Sequence, residues 1–513
     1  MLDRAWLRRT AVLVIAAAAG LAYGWQANRD TLEIYYAAAV RSMSMSWHDF
    51  IFGGFDPAGT VTLDKLPGAF WIEALAVRAF GVHTWVLIAP QAAEGVFALA
   101  YLIDGPGAAG RRVRQLAAGG LVAVAVSLAW MTAVTLVPSA DRPYADGSHD
   151  NSVFQQVFVY NGFGRLGEQT PLQLLAGTIR PGIAYPVAAA GPQRLLTGVL
   201  GRDAGWLLLP AVVAALWALA RRFRAPRGDP RRACLVLWGG WLLVLGVTFS
   251  VTTAVNPYYT AALSPAVAAL LAVAVTMAWS SPPTWPLRIG VAAVVAATAA
   301  YAAWLIPAGG TDVASWLVKT VIVAGVIAAV LALAAPARNY AAALAVALAS
   351  VLLVPAVASA ELIGHDQGAL DTPFEPSRLA ASVDDFNTSL ARVQQVTALR
   401  LVDAAEGDPD LAATQTSAVA AVFIYATGRE VLPIGGFTGT IPEPTLGQLQ
   451  ADIRDRKFRL VIAFSTADAR LAWIESNCVG LARPTWICAP SEAGGQGPPV
   501  ARAAPPVRSP APG

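Results

Sequence analysis

Nine apolar runs, each near the ~20 residues that a helix needs to cross ~30 Å of hydrocarbon, leave this chain few choices of fold. They fall at 6–23, 84–103, 115–137, 204–220, 232–251, 258–279, 287–305, 316–335 and 340–357. With 56% hydrophobic and only 13% charged residues among 513, the apolar surface exceeds what an ordinary soluble core can hide. An α-helical polytopic membrane protein with about nine transmembrane helices is therefore expected. Segment 68–80 is short enough to lie along the interface instead of crossing. The first run reads as a membrane anchor, since no small-residue cleavage site follows it.

Orientation follows from the arginines, because basic loops stay on the cytoplasmic side. Arg4, Arg8 and Arg9 precede the first run; Arg111, Arg112 and Arg114, then Arg221 to Arg232, then Arg288, then Arg338 occupy alternate loops. The intervening loops 24–83 and 138–203 are then outward, as is the tail from 361, in a multi-pass protein of the plasma membrane. All four histidines, His48, His83, His149 and His365, fall on that outer side. A net charge of +3, with arginines in short clusters and not along one face, leaves no footprint for nucleic acid.

Residues 1–360 form the expected membrane domain. Residues 361–490 alternate helix-like stretches, 380–400 and 446–455, with short β-prone runs at 419–424, 431–434 and 460–464, which predicts a small extracytoplasmic α/β domain. From 491 to 513 Gly, Pro, Ala and Arg dominate, and a disordered tail is expected. Of three cysteines, Cys478 and Cys488 fall in the outer tail, where an oxidising compartment would permit one bridge, while Cys234 begins a span.

The densest chemistry lies between Ser46 and Trp71, where His48, Asp49, Asp56, Asp64 and Lys65 stand between apolar segments. Charge is costly beside hydrocarbon unless paired or hydrated, so the cluster marks a site or a loop in water. Lysine occurs only at 65, 319 and 457 in this arginine-rich chain. An ammonium on a flexible stem suits a phosphate met as a point charge; the alternative is a lysine that meets lipid head groups. Glu33, just beyond the first run, is a candidate general base if burial raises its pKa, or else an exposed interfacial acid. Asp56 in GGFDPAG is a second candidate base, or a turn residue. In the second outer loop Arg142, Tyr144, His149, Asp150, Asn151, Asn161 and Arg165 offer the donors, acceptors and aromatic faces that read hydroxyls or phosphates. Tyr258 in NPYYT is either a substrate contact or an interfacial anchor. His48 and His149 show no short metal-ligand spacing, so the metal is left unknown and a divalent cation stays open.

In order along the chain, WQANRDTLEIYYAAAV, SWHDFIFGGFDPAGTVTLDK, GVHTWVLIAPQAAEGV, RPYADGSHDNSVFQQVFVYNGFGRL, NPYYTAALSPA and GREVLPIGGFTGTIPEPTLGQLQ resemble the bacterial mannosyltransferases of the YkcA/YkcB type. These are similar to protein O-mannosyltransferases and lipid A aminoarabinose transferases, in glycosyltransferase family 39 and its relatives. The resemblance implies a GT-C type membrane glycosyltransferase. Such an enzyme moves a hexose or pentose, mannose-like, from a polyprenyl-phosphate donor to a cell-envelope lipid, glycan or protein acceptor on the outer face. It implies Lys65, paired with Asp64, as the donor phosphate ligand and Glu33 at or next to the acidic position proposed as base. With Asp56 as the alternative base, the catalytic candidates are Glu33, Asp56 and Asp64, and Arg142 or a divalent cation is a further candidate for the departing phosphate. His48, Tyr144, Asn151, Asn161 and Tyr258 stand as candidate substrate contacts. The chain departs from the family pattern where Leu66 follows Lys65 in place of proline. It also has only DGPGAAGRRVRQ where relatives carry several further spans. A second reading is therefore a truncated, catalytically silent relative that binds lipid-linked sugar or a partner protein.

Overall fold

A computed structural model describes residues 34–83, 109–166, 175, 189–226, 229–253, 255–306, 313–364, 372–374, 407–464, 468–482 and 484–488. Among these, seven helices are long and apolar enough to cross a membrane. They are α4 (Ala109–Leu136), α5 (Gly198–Arg222), α6 (Pro230–Val251), α7 (Pro257–Trp279), α8 (Trp285–Leu305), α9 (Val313–Ala334) and α10 (Tyr340–Gly364). Each matches an apolar run read from the sequence, because hydrocarbon forces every backbone polar group to be satisfied within the helix. The expected spans 6–23 and 84–103, the helix 380–400 and the tail 491–513 lie outside the described residues, as does Glu33.

These helices meet through small residues. A Cβ on Gly325 of α9 would stand 2.4 Å from the Ala299 Cβ of α8, so the absent side chain sets how closely the two helices approach. At one end of the pair, Arg288 of α8 donates to the carbonyls of Ala332 and Leu333, satisfying the last turn of α9. Leucine and valine on the outer faces, Leu121, Leu243 and Val323 among them, remain exposed, as lipid-facing positions do.

Three shorter helices precede the spans: α1 (Ile34–Met45), α2 (Trp47–Phe52) and α3 (Gly68–Phe80). At 13 residues α3 is too short to cross, as expected for an interfacial segment. Helix α2 is capped by the Ser46 hydroxyl on the Asp49 N–H and closed by Gly53 at φ 71, a left-handed position that suits glycine. Indole N–H groups of Trp71 and Trp130 bond its last carbonyls, Phe50 O and Ile51 O, and so tie it to α3 and α4.

The C-terminal unit is a five-stranded sheet in the order β2-β1-β3-β5-β4, built from β1 (Ala412–Thr414), β2 (Val431–Pro433), β3 (Leu460–Ile462), β4 (Val479–Ala482) and β5 (Thr485–Ile487). The first three strands are parallel and fully buried, and β5 and β4 run antiparallel at the other edge. Helices α11 (Ser417–Thr427), α12 (Leu446–Arg454) and α13 (Ala469–Asn477) connect them. Here one expectation is corrected: 419–424 is helix, not strand. A short, wholly apolar run carries no periodicity to separate a buried strand from a buried helix. The caps decide it, Thr416 accepting the Val419 N–H and Gly428 closing the last turn. Its apolar faces are buried because α11 lies between the sheet and α1, where Val419, Ala420, Phe423 and Ile424 join Ala38, Val40 and Met43 in one core.

Cys478 and Cys488 form a disulfide with their Cα atoms 4.5 Å apart, joining the end of α13 to the end of β5. The bridge closes a short loop, so the chain-entropy model assigns it about 2–3 kcal/mol. Cys478→Ser with Cys488→Ser is therefore expected to lower the melting temperature of the sheet unit by several degrees in a thermal unfolding experiment; an unchanged melting temperature contradicts this.

Candidate functional site

The first loop folds on itself before it reaches its charges. Asp56 accepts N–H groups of Thr60 at 2.9 Å and Val61 at 3.0 Å, which turns the GGFDPAGT segment back on itself. Phe55 N–H bonds Val61 O and Leu63 N–H bonds Gly53 O, completing a small antiparallel turn. Segment 60–62 then pairs with the second loop, where Thr62 N–H bonds Tyr144 O and Tyr144 N–H bonds Thr60 O, both at 2.9 Å. Two loops about eighty residues apart in sequence are thus stitched edge to edge.

At the end of that seam stands the Asp64–Lys65 pair. Lys65 Nζ donates to Asp64 Oδ2 at 2.8 Å and to Asn161 Oδ1 at 3.0 Å. Asn161 donates in turn to Asp64 O at 2.6 Å, and Tyr36 OH reaches Asp64 Oδ1 at 3.4 Å. Asn161 follows a π-helical turn, Gln155–Tyr160, of the kind often found at functional sites. Within the turn Gln156 is anchored to Thr62 Oγ1 and Leu63 O at 3.0 and 2.8 Å. The Asp64 side chain is 4% exposed and that of Lys65 30%, so the ammonium is the part of the pair that solvent or a ligand can meet. Tyr36 stacks on Phe70 beside it, and Trp47, Ile51, Ile72, Leu75 and Phe80 of α2 and α3 are exposed.

A residue that the sequence did not single out lies against this pair. Asp146, in the ADGS turn of the second loop, is 1% exposed. Tyr35 OH accepts the Asp64 N–H at 2.9 Å and donates to Asp146 Oδ2 at 3.5 Å, so a single phenol joins the two acids. The same Oδ2 accepts the Phe437 N–H of the C-terminal unit at 2.9 Å. Burial, and after it the charge of Asp64, raises the Asp146 carboxyl to about 7, while the Phe437 and Gly147 N–H groups, and after them Lys65, pull it down.

The other candidates separate from this centre. Asp56 is fully buried with both oxygens occupied by turn amides, and it faces Glu430 of the C-terminal unit. Glu430 in turn accepts the Ala58 N–H at 2.7 Å. Burial pushes both carboxyls up, and the charge of Asp56 raises Glu430 well above the carboxylate range. Arg142 is spent inside its own loop, on Asn151 Oδ1 at 2.7 Å and Asn151 O at 2.8 Å, while Asn151 Oδ1 also takes the Ala145 N–H. Tyr144 supplies the backbone seam, and its hydroxyl is 3.4 Å from Ser148 O. His48 is half-exposed and pairs with Asp49, whose own carboxyl burial raises to about 6. Tyr258 lines a separate cavity of about 480 Å³ with Arg202, Asp203, Trp206 and Ser359. Among the described residues no three His, Cys, Asp or Glu side chains gather as a metal site.

Raised carboxyls at the contact between the loops and the sheet unit carry a sign. A group whose folded pKa lies above its unfolded value binds extra protons when folded, so its contribution is fully present below about pH 4 and is lost as pH rises through about 7 for Asp146. The melting temperature of the purified chain is therefore expected to fall between pH 5 and pH 8, and Glu430→Gln to flatten that fall. A flat wild-type profile rules this out.

Comparisons with known proteins bear on the chain as a whole. Residues 400–477 match the family model described as "Putative mannosyltransferase YkcB-like, C-terminal". The chain is similar to "Putative mannosyltransferase YycA" of Bacillus subtilis (strain 168), 23% identical over 641 residues that cover 91% of this chain and 93% of the relative. It is also similar to "Putative mannosyltransferase YkcB" of the same organism, 22% identical over 646 residues, 89% of each. No solved structure matches. Both alignments are longer than the 513 residues of this chain, so the relatives carry segments inside the aligned region that it lacks. The resemblance read from the sequence, shortened interior included, holds along nearly the whole length.

Proposed function

We propose that this chain is a membrane glycosyltransferase that moves a mannose-like hexose or pentose from a polyprenyl-phosphate donor to a cell-envelope lipid, glycan or protein. The reaction takes place on the outer face of the plasma membrane. The observation that carries the proposal is the Lys65 ammonium, fixed by Asp64 and Asn161 yet partly open, beside an exposed apolar rim on α2 and α3. A phosphate on an isoprenoid chain needs these two surfaces side by side: a point cation and an apolar bed. Polyprenyl phosphate is a good leaving group, so the protein need only hold it, neutralise its growing charge and deprotonate the acceptor.

Within this reading Lys65 binds the donor phosphate, Asp64 and Asn161 hold the ammonium in place, and Tyr36 lies along the donor's path. Asp56 keeps the loop folded, and Arg142 with Asn151 keeps the second loop in register. Glu33, adjoining Ile34 at the start of α1, stays a candidate base, and His48, Tyr144 and Tyr258 stay candidate acceptor contacts. The proposal includes a membrane domain of 1–360, an outer unit of 361–490 that covers the site, and a free tail from 491. The shortened interior favours one other reading, a silent relative that still binds lipid-linked sugar.

Sugar transfer in membranes that express the chain separates the two, with labelled polyprenyl-phosphate mannose, glucose and arabinose as donors. Transfer with one donor, lost in Lys65→Ala, supports the enzyme. Donor binding that needs Lys65 but yields no transfer supports the silent relative, and neither binding nor transfer removes both.

A further inference from the structure

We propose that Asp146 is the catalytic base that takes the acceptor's proton, and that residues 435–439 of the C-terminal unit are the lid over it. This rests on the transferase reading above. Four aspartates of the two loops are buried, and their oxygens differ in what they already hold. Asp56 spends both oxygens on its own turn, and Asp64 has one on Lys65 and the other within reach of Tyr36. Asp49 also has a buried oxygen without a partner, Oδ2, but its Oδ1 is paired with His48 and no bond links it to Lys65 or Asp64. Asp146 Oδ1 is buried and unpaired, while the Phe437 amide and Tyr35 hold its Oδ2 and the neighbouring Gly147 N–H also favours the charged carboxylate. A carboxylate fixed through one oxygen and vacant at the other is arranged to receive a proton. Tyr35 further places it one phenol away from the backbone of the phosphate-holding pair.

Burial also gives Asp146 a proton affinity near neutrality, where a general base works best. The charged and titratable groups around it are Asp64, Lys65, Tyr35 and Tyr160, the last packed over Gly147. From the sheet unit the Phe437 amide faces it. The step balances: the acceptor O–H breaks and its proton passes to Oδ1, the oxygen bonds the anomeric carbon, and the anomeric C–O bond to phosphate breaks. Its electron pair leaves on the polyprenyl phosphate, opposite Lys65, and Asp146 then returns the proton to water.

The closed arrangement seals Asp146, so the acceptor must enter by displacing what covers it. That cover is the GGFTG turn, where Gly435, Gly436 and Gly439 have φ of 99, 66 and 79. Its ties to the two loops are the Phe437 amide on Asp146 and the Phe437 ring against Tyr35 at 4.8 Å, while Ser417 N–H on Gly436 O, Gly435 N–H on Glu443 O and Ile441 N–H on Gly435 O bind it to its own unit. Opening therefore breaks the two contacts of Phe437 with the loops and leaves the sheet unit folded.

The test measures transfer, donor binding and pH dependence in membranes that carry the full chain, for wild type, Asp146→Asn and Tyr35→Phe. Asp146→Asn is expected to lower transfer roughly 100- to 10,000-fold, the range of general-base losses, while it keeps donor binding within about threefold. Wild-type transfer should rise with pH through about 7, and Tyr35→Phe, which removes a hydrogen bond to the charged form, should move that rise to higher pH. Transfer by Asp146→Asn near the wild-type rate overturns the proposal and leaves the transferase reading intact. Loss of donor binding in Asp146→Asn, or an unmoved profile in Tyr35→Phe, also overturns it by giving Asp146 a structural role. Absence of transfer in wild type with every donor defeats the transferase reading itself.

Discussion

Lys65→Ala is expected to reduce sugar transfer roughly 100- to 1,000-fold, as removal of a fixed electrostatic stabiliser does at other sites of charge development. Two effects add. The ammonium that neutralises the departing phosphate is gone, and Asp64, 3% exposed, loses its cation and turns from a positioning group into a buried charge that repels the donor. Because both effects act on the donor side, the loss should appear in donor affinity as well as in rate. Lys65→Arg is expected to restore only part of it, since a planar fork cannot occupy the point between Asp64 Oδ2 and Asn161 Oδ1 that one Nζ fills. Asp64→Asn, which leaves the cation, should cost less than Lys65→Ala. Kinetics on the three variants check this order; Lys65→Ala within about threefold of wild type would remove Lys65 from the site.

The second large effect is expected at Gly436, where the C-terminal unit closes on Asp146. A Cβ there would lie 2.4 Å from Asp146 Oδ1 and 2.8 Å from Ile441 Cδ1, and the backbone has φ 66. Neither neighbour has room to move, one being a buried acid held by an amide and the other a core side chain. Left-handed strain of ~1 kcal/mol and overpacking of ~1–3 kcal/mol together predict that Gly436→Ala weakens the closed state by about 2–4 kcal/mol. Transfer should drop, and protease should cut the 435–439 turn faster. Gly447→Ala is the matched control: its Cβ meets nothing within 4 Å and it lies in α12, so no loss is expected. Equal behaviour of the two variants would show that the turn does not close on the loops.

The seven described spans were legible because lipid imposes length and apolarity on any helix that crosses it, whatever its neighbours. Strand β2 was legible as a short apolar run bounded by Gly and Pro, β3 as the apolar run LVI beside charged residues, and Lys65 because lysine is scarce in this chain. Helix α11 was misread since its burial against α1, nearly 400 residues earlier, makes it apolar on every face. Asp146 was missed for a related reason. In ADGS an aspartate reads as a turn residue, and only the Phe437 amide, 291 residues away, turns it into a buried acid. Glu430 likewise has no local signal, because its importance comes from Ala58 and Asp56 across the same contact. The three closing glycines of GGFTG were the one hint available, since a glycine-rich turn between a strand and a helix invites the question of what approaches it.

The most direct measurement is photolabelling of the full chain in membranes with a polyprenyl-phosphate probe that carries a diazirine next to the phosphate, with the adducts mapped by mass spectrometry. Adducts within 47–71 and 156–161, lost in Lys65→Ala and displaced by unlabelled polyprenyl-phosphate sugar, are the predicted result. Adducts confined to the cavity of Arg202, Trp206, Tyr258 and Ser359, unchanged by Lys65→Ala, would contradict a donor site at Asp64 and Lys65.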